Sequence, residues 1–354
     1  MSRNTLLVKL SSMGDVVHSF PALTEAASYG HRFDWVVEEA FAELAAMHPA
    51  IDRVVPFGLR RWRKQGVSGL LALTRFAREL RADKYSKVLD AQGLLKSALV
   101  SRASGAESRF GLDHESARES IGSKFYTHKI NVGWDQHAID RLRLLFSKVL
   151  GYDIDLTSPV TSPFPAVAGD AQETIIVHGT TWRSKEYPEA MWRQLLQQLA
   201  TAGHTPVLLS GSDVEFQRAQ RLCDALGDRV QAATPGTLLA AAQRVREARL
   251  VIGVDSGLTH LGAVLGRPTI GLYGATSTVK TGVRGPFAVD LASDFGCAPC
   301  LQRECSYGGE IPLVHNEPVA PACFAGLTAH RILDEANQLL ERQSKMPMAP
   351  GDTS

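Results

Sequence analysis

Residues 250–264 read LVIGVDSGLTHLGAV, a short aliphatic run followed by a polar turn at Asp255-Ser256-Gly257 and then a helical pattern. An apolar run of this length that ends in a polar turn before a helix is typical of a strand in an α/β protein. The same order opens the chain, where TLLVKL at residues 5–10 leads into SSMGD at residues 11–15. The repeated pattern predicts βαβ units and parallel sheets.

Aliphatic and β-branched runs of strand length alternate with helical patterns along the chain. The predicted strands are residues 5–10, 34–39, 53–57, 87–93, 174–179, 205–211, 250–257 and 269–274. The predicted helical stretches include residues 41–48, 68–82, 191–202 and 237–247. We therefore expect an α/β protein with two doubly wound, parallel-sheet domains that face each other across a cleft.

The length of 354 residues is enough for two domains at roughly 100–200 residues each. A stretch rich in Pro, Ser, Thr, Gly and Ala without clear periodicity predicts a linker near residue 165. The expected order is an N-terminal domain at 1–160, a linker at 161–172, a C-terminal domain at 173–325, a helix at 326–343 and a disordered tail at 344–354.

The numbers of charged residues and the lengths of the apolar runs exclude some classes of protein. The chain has 38 Lys and Arg against 37 Asp and Glu, which argues against a nucleic-acid partner because such domains are usually strongly basic. No apolar run approaches the roughly 18 residues that span a bilayer, and the N-terminus does not resemble a signal peptide. We therefore expect a cytoplasmic protein.

A basic cluster occupies residues 60–64, Arg-Arg-Trp-Arg-Lys, and further cations follow at residues 75–87. In a nearly neutral chain this asymmetry indicates an anionic ligand or an anionic membrane surface. A solvated helix face explains residues 75–87 equally well. Trp62 rests against a sugar, lies among lipid headgroups or packs in the core.

Polar residues follow four of the predicted strands. Asp15 after the first strand is either a helix cap or a general base at the mouth of the cleft. Asp90 and Gln92 follow the fourth strand and either form a turn or contact a ligand.

Two segments of the C-terminal domain have the composition of a phosphate site. Residues 180–185, Thr-Thr-Trp-Arg-Ser-Lys, can hold a diphosphate or simply form a polar loop before a helix. Asp255 and Ser256 can cap the helix that follows them, and its exposed N–H groups favour an anion. His260 is more often structural than a ligand.

The cysteines are five in number, and a disulfide framework is not expected in a cytosolic chain. Four lie close together in the sequence, at Cys297, Cys300, Cys305 and Cys323. Their spacing predicts a structural site for Zn or Fe, since four thiolates leave no open coordination position. The alternative is a set of free or redox-labile thiols.

Several of these segments occur together in one known family. They are LVKLSSMGDVVHSFPALTEA, FDWVVEEAFAEL, RRWRK, VLDAQGLLKSA, TTWRSKEYP, VDSGLTHLGAVLGRP and LYGATS. Together they resemble the lipopolysaccharide heptosyltransferases of glycosyltransferase family 9. The resemblance implies a GT-B fold and inverting transfer of L-glycero-D-manno-heptose from ADP-heptose to Kdo of the lipid A–Kdo inner core. It also implies a peripheral position at the inner face of the cytoplasmic membrane, and no cofactor for the transfer.

The resemblance also assigns roles to residues. Asp15 is the expected general base, and Lys185 is expected to stabilise the ADP leaving group. Expected donor contacts are Thr180, Thr181, Lys185, Asp255, Ser256, Gly257 and His260. Expected acceptor contacts are Arg60, Arg61, Arg63, Arg118, His137 and Arg141. The cysteine-rich segment 296–325 is similar to motifs of family members that glycosylate proteins, so a protein or another saccharide is the alternative acceptor.

Overall fold

Two parallel six-stranded sheets, one in each half of the chain, carry the fold. The computed structural model describes residues 5–164, 172–314 and 316–345. Contacts divide the chain into two units, Met1–Ser158 and Pro159–Ser354. Most of the predicted linker and all but two residues of the predicted tail lie outside the described residues.

The sheet of the first unit has the strand order β3-β2-β1-β4-β5-β6, and all its neighbouring strands are parallel. Its strands are β1 Thr5–Val8, β2 Phe33–Glu38, β3 Ile51–Phe57, β4 Lys87–Asp90, β5 Ser108–Leu112 and β6 His128–Ile130. The strand order reverses between β1 and β4, and such a switch point is where doubly wound sheets bind ligands. The loops after β1 and β4 therefore meet at a favourable place for a site.

Helices cover the sheet of the first unit. They are α1 Met13–Val17, α2 Phe20–Ser28, α3 Ala42–Ala46, α4 Leu59–Trp62, α5 Val67–Ala82, α6 Leu95–Ala103 and α7 Ala138–Leu150, with 3₁₀ turns at Glu39–Phe41 and Ser120–Phe125. Leu6, Leu7 and Val8 are fully buried between the helix layers, as expected for a central parallel strand.

The second unit repeats the architecture, with the parallel strand order β12-β11-β10-β7-β8-β9. Its strands are β7 Glu173–Val177, β8 Thr205–Leu209, β9 Gln231–Ala232, β10 Leu250–Val254, β11 Thr269–Tyr273 and β12 Ala288–Ala292. An antiparallel pair, β13 Leu313–Val314 and β14 Glu317–Pro318, lies in the cysteine-rich segment. Here the switch point lies between β7 and β10.

The helices of the second unit include the long C-terminal helix. They are α8 Glu189–Thr201, α9 Asp213–Asp224, α10 Leu238–Glu247, α11 Gly257–Val264, α12 Thr278–Thr281 and α13 Ala329–Lys345, with 3₁₀ turns at Arg183–Lys185, Gly227–Arg229 and Ala322–Phe324. The end of the cysteine-rich segment packs into the core, because the Phe324 ring lies 5.5 Å from that of buried Tyr187. Among the described helices, none combines the length and apolar character needed to cross a bilayer.

Every predicted strand overlaps a strand of the structure, and the predicted α/β class is confirmed. Four strands of the two large sheets were not predicted, namely β5, β6, β9 and β12. All of them lie toward a sheet edge, where half-exposed strands lack the continuous apolar run of a central strand.

Candidate functional site

Asp15 lies in the first turn of α1, immediately after the loop that follows β1. Its Oδ2 accepts hydrogen bonds from the backbone N–H of Ser12 at 2.8 Å and from the Ser12 hydroxyl at 3.2 Å. Its Oδ1 accepts one from Lys9 Nζ at 3.3 Å. The side chain remains 37% exposed, so a ligand can still reach the carboxylate. Asp15 therefore takes part in capping α1 as the third helical residue of a capping box with the N-cap residue Ser12, and its geometry also allows it to act as a base.

The surroundings of Asp15 keep the carboxylate ionised. Burial acts to raise its pKa, but the Lys9 ammonium, the Ser12 N–H and His18 act in the opposite direction and bring the pKa below its ordinary value. Lys9 itself is 5% exposed and also donates to the carbonyl of Ala91 at 3.0 Å. The buried side chain of Lys9, which bridges the ends of β1 and β4, thus helps to keep Asp15 ionised.

The loop after β4 holds the loop after β1 in place. Gln92 Oε1 accepts hydrogen bonds from the backbone N–H groups of Leu10 at 2.9 Å and Ser11 at 3.1 Å. Asp90 is fully buried and accepts from Gln92 N–H at 2.9 Å and from the Tyr126 hydroxyl at 2.8 Å. Asp90 therefore forms the turn, one of the two roles open to it from the sequence, and Gln92 positions the loop that bears Asp15.

A chain of charges connects the basic cluster to the same loop. Arg60 pairs with Glu38 at 3.0 Å, and the other oxygen of Glu38 accepts from Lys96 Nζ at 3.0 Å. Lys96 in turn donates to Ser11 Oγ at 3.0 Å. The nearly buried Glu38 carboxylate thus holds two cations close to the loop of Asp15. Two cations beside one carboxylate leave positive charge for an anionic ligand.

The other residues of the basic cluster lie in different environments. Arg61 pairs with Glu39 at 2.5 Å, and Arg63 is exposed at the end of α4. Trp62 is 8% exposed and packs against Phe57 and Phe76 at ring distances of 5.4 and 5.6 Å. Trp62 is therefore a core residue and does not offer its face to a sugar.

The remaining predicted acceptor residues occupy different environments. Arg118 is exposed. His137 is buried, caps α7 by accepting from the backbone N–H of Ile139 at 3.1 Å, and lies 6.2 Å from His18 between ring centres. Arg141 stacks over Trp134 at 3.7 Å and donates to the carbonyl of Ser116 at 2.8 Å. His137 is thus the member of this set that lies toward Asp15, through His18.

In the second unit, three predicted residues come together at the ends of β7 and β10. Lys185 Nζ lies 2.7 Å from Asp255 Oδ2, and His260 Nε2 lies 3.0 Å from Asp255 Oδ1. Burial acts to raise the pKa of Asp255, yet His260 and Lys185 hold it well below the ordinary value. The lowered pKa keeps the carboxylate ionised at neutral pH, and the carboxylate orients the ammonium of Lys185.

The loop of residues 180–185 is fixed by backbone contacts. Thr180 donates its hydroxyl to the carbonyl of Asp255 at 3.1 Å, and the buried Ser184 donates to the carbonyl of Gln302 at 2.5 Å. Lys185 lies over the ring of Trp182 at 4.6 Å. Thr181 on the same loop is exposed. A lysine fixed in this way is a preorganised cation for a phosphate.

The start of α11 completes this group. Ser256 is the N-cap residue and Gly257 the first residue of the helix, and the Ser256 side chain makes no cap hydrogen bond. The first N–H groups of α11 and its positive dipole end can therefore receive an anion. In the loop after neighbouring β11, the buried hydroxyl of Thr276 has no hydrogen-bond partner among the described residues.

The four predicted metal-ligating cysteines line one small cavity, together with Ser184, Gly274 and Tyr307. Burial and the neighbouring thiols raise the pKa of Cys323 to about 12, so that thiol is protonated at neutral pH. Within residues 5–164, 172–314 and 316–345, no group of three or more His, Cys, Asp or Glu side chains is arranged to hold a metal ion. The structure therefore does not support the predicted metal site, although it does bring the thiols to one place.

Lys9, Glu38 and Lys96 are site residues that sequence reasoning missed. Each makes its important contact with a residue far away in the chain, such as Lys9 with Ala91. The only signal in the sequence is that Lys9 interrupts an apolar strand. A charged residue in a buried strand needs a partner, and Asp15 is the nearest acid that follows it.

Comparison with known proteins finds relatives that match nearly the whole length of the chain. Residues 73–310 match glycosyltransferase family 9 (heptosyltransferase). Lipopolysaccharide heptosyltransferase 1 of Pseudomonas aeruginosa is 41% identical over 95% of this chain and 97% of its own length. The E. coli heptosyltransferase WaaC with ADP superposes with a TM-score of 0.79 at 33% identity, over 95% of this chain and 100% of that one. The same enzyme with ADP-2-deoxy-2-fluoro heptose gives a TM-score of 0.75, over 96% of this chain and 100% of that one.

Proposed function

The chain belongs to glycosyltransferase family 9, the heptosyltransferases, and from this membership we propose that it transfers L-glycero-D-manno-heptose from ADP-heptose to Kdo of the lipopolysaccharide inner core, with inversion. The protein is a glycosyltransferase with the GT-B fold of its structural relatives. The observation that carries the proposal is the Asp15 carboxylate, which is ionised, partly exposed and held by Lys9.

Asp15 acts as the general base. A hydroxyl is a weak nucleophile, so the carboxylate accepts its proton while the acceptor oxygen bonds to the anomeric carbon of heptose. The bond from that carbon to the diphosphate oxygen breaks, and ADP leaves. One base suffices, because attack comes from the face opposite the leaving group and the configuration inverts.

Lys185 stabilises the charge that develops on the leaving ADP. Its ammonium has three N–H donors, so it can bind a phosphate oxygen while it keeps its 2.7 Å contact with Asp255. Arg183 and the N-terminus of α11 add positive potential on the same side of the second unit. Thr180, Thr181, Ser256, Gly257 and His260 surround this donor site. The solved relatives with ADP and with a fluorinated ADP-heptose support this choice of donor.

The acceptor site lies on the first unit. Kdo carries a carboxylate, which a planar guanidinium binds well through two parallel hydrogen bonds. Arg60, Arg61 and Arg63 are exposed guanidinium groups that follow β3. Arg60 and Arg61 become available when they exchange Glu38 and Glu39 for the acceptor. Arg118, His137 and Arg141 are proposed as the further acceptor contacts. Because this acceptor is a lipid, the enzyme works at the inner face of the cytoplasmic membrane.

The decisive experiment measures ADP release from ADP-heptose with and without Kdo-lipid A. Wild type should release ADP only with the acceptor, and Asp15→Asn should lose about 10²–10⁴-fold of the rate. Asn retains an oxygen for the Ser12 N–H, so the helix cap survives the substitution. If this variant turns over at nearly the wild-type rate, Asp15 only helps to cap α1 and is not the general base. If wild type binds ADP-heptose but Kdo-lipid A does not trigger ADP release, the acceptor is instead a protein or another saccharide.

We propose that the four clustered cysteines hold one structural zinc or iron ion that has no part in the transfer. The support is that Cys297, Cys300, Cys305 and Cys323 line the same cavity, although their present arrangement is not that of a metal site. Elemental analysis should find about one metal per chain, lost in Cys297→Ser/Cys300→Ser and kept in Cys223→Ser. A stable, metal-free wild type would refute this proposal.

A further inference from the structure

The outer face of α5 begins with a patch of exposed apolar side chains. Val67, Leu70 and Leu71 are 79%, 62% and 63% exposed. They share one face because residues three and four apart are neighbours on a helix. The opposite face of α5 is buried through Phe76 and Leu80. A first turn that is apolar on its solvent side is unusual, since exposed helix faces are normally polar.

Cations flank this apolar turn along the chain. Arg63 and Lys64 precede it, and Arg75 and Arg78 follow it on the same exposed side of α5. None of these four cations forms a salt bridge with another residue that the structure describes, whereas Arg60 and Arg61 both do. The only acidic residue between positions 63 and 82 is Glu79. The surface therefore combines exposed apolar area with uncompensated positive charge.

We propose that these seven residues form a docking surface for an anionic lipid bilayer. The docking surface comprises Arg63, Lys64, Val67, Leu70, Leu71, Arg75 and Arg78. Its apolar side chains enter the boundary between headgroups and acyl chains, and its cations lie among the anionic headgroups. The inference rests on the proposed function, because it gives the enzyme a means to reach an acceptor that is embedded in the bilayer.

The positive charge around the apolar patch favours an anionic bilayer over a protein partner. An apolar patch that receives a protein partner is usually rimmed by mixed polar groups and depleted in lysine at its centre. Here the rim is cationic on both sides, which matches an anionic headgroup layer. The docking surface is also continuous in sequence with the proposed acceptor cations, so a docked enzyme holds its acceptor residues near the headgroups.

Co-sedimentation of the full chain with vesicles tests the docking surface. Wild type should bind phosphatidylcholine vesicles that contain phosphatidylglycerol, bind pure phosphatidylcholine weakly, and bind less as salt rises. Val67→Ser/Leu70→Ser/Leu71→Ser should lower partitioning by about tenfold for each inserted side chain. Lys64→Gln/Arg75→Gln/Arg78→Gln should lower it about fivefold for each cation at low salt.

Two controls separate docking from folding and from catalysis. Val214→Ser/Val279→Ser removes apolar side chains that are 77% and 65% exposed on the second unit, and it should leave vesicle binding unchanged. The apolar triple variant should keep wild-type turnover of a Kdo acceptor that lacks acyl chains. If wild type has no activity on that acceptor, the proposed function is refuted. The vesicle-binding assay does not depend on transfer, so it still tests the docking surface.

Three results overturn the docking proposal. The first is wild-type vesicle binding by the apolar triple variant. The second is equal binding of wild type to neutral and anionic vesicles at all salt concentrations. The third is that wild type forms a dimer in sedimentation velocity, that the apolar triple variant does not, and that neither protein binds vesicles. That result would make the surface an interface between two copies of the chain.

Discussion

Asp15 closes the capping arrangement of α1 with one carboxylate oxygen and contacts Lys9 with the other. The capping role orients the carboxylate, because the Ser12 N–H fixes its direction at 2.8 Å. The exposed part of the group remains open to an acceptor hydroxyl. Sequence reasoning treated cap and base as alternatives, and the geometry makes them compatible. Preorganisation of this kind is what a catalytic base requires.

Lys9 provides a test of that electrostatic arrangement. Since burial raises the pKa of Asp15 and Lys9 lowers it, Lys9→Met should raise that pKa. The proposed base acts in its ionised form, so the acid limb of kcat/KM should move to higher pH and the loss of activity should grow as pH falls. A pH–rate profile measures this. Lys9→Arg retains the charge and should keep the acid limb of wild type. A uniform loss at every pH would mean that Lys9 has only a structural role.

Much of the candidate site could be found from local sequence, because its residues follow strands directly. Asp15, Lys185 and Asp255 all lie within a few residues of the end of an aliphatic run. Partners such as Glu38 and Lys96 could not be found, because their meeting depends on the order β2-β1-β4 in the sheet. Local periodicity does not determine which strands become neighbours, so it does not predict such contacts.

At the scale of elements, the central strands were predictable and the edge strands were not. β10 is buried along its length and β1 is buried after its first residue, and both contain continuous apolar runs in the sequence. β6, His128–Ile130, is three residues long and largely exposed, so it has no apolar run to detect. β5, Ser108–Leu112, is fully buried only at its end. Burial on both faces is what makes a strand visible in the sequence.

The junction of α4 and α5 depends on close backbone packing at Gly69. A Cβ at this position would lie 1.9 Å from the carbonyl oxygen of Trp62, and backbone cannot yield as a flexible side chain can. Gly69→Ala should therefore destabilise the first unit by about 1–3 kcal/mol. Urea unfolding followed by circular dichroism measures this change. Gly308→Ala, where no atom lies within 4 Å of the added Cβ, is the matched control. Equal midpoints for the two variants would contradict the packing argument.

For the whole molecule, the two units divide the chemistry between them. The proposed base and acceptor cations all lie within Met1–Ser158, and the proposed donor contacts all lie within Pro159–Ser354. The charge map of the sequence already indicated this division, since the basic cluster precedes residue 90 and the phosphate-type loops follow residue 175. Each half is a doubly wound sheet with its own switch point, so each half can hold one substrate.

This division predicts how substitutions affect ADP binding measured by calorimetry. Lys185→Ala removes a cation from the donor site and should weaken ADP binding by about 10–100-fold, as expected for a charge-assisted phosphate contact. It should also raise the donor KM and lower kcat. Asp15→Asn and Arg60→Ala lie in the other unit and should leave the Kd for ADP unchanged while transfer is lost or slowed. The double variant Arg60→Ala/Lys185→Ala should show the sum of the two effects, because groups without shared partners act independently. If Asp15→Asn weakened ADP binding as much as Lys185→Ala does, the two substrate sites would not be separable by unit.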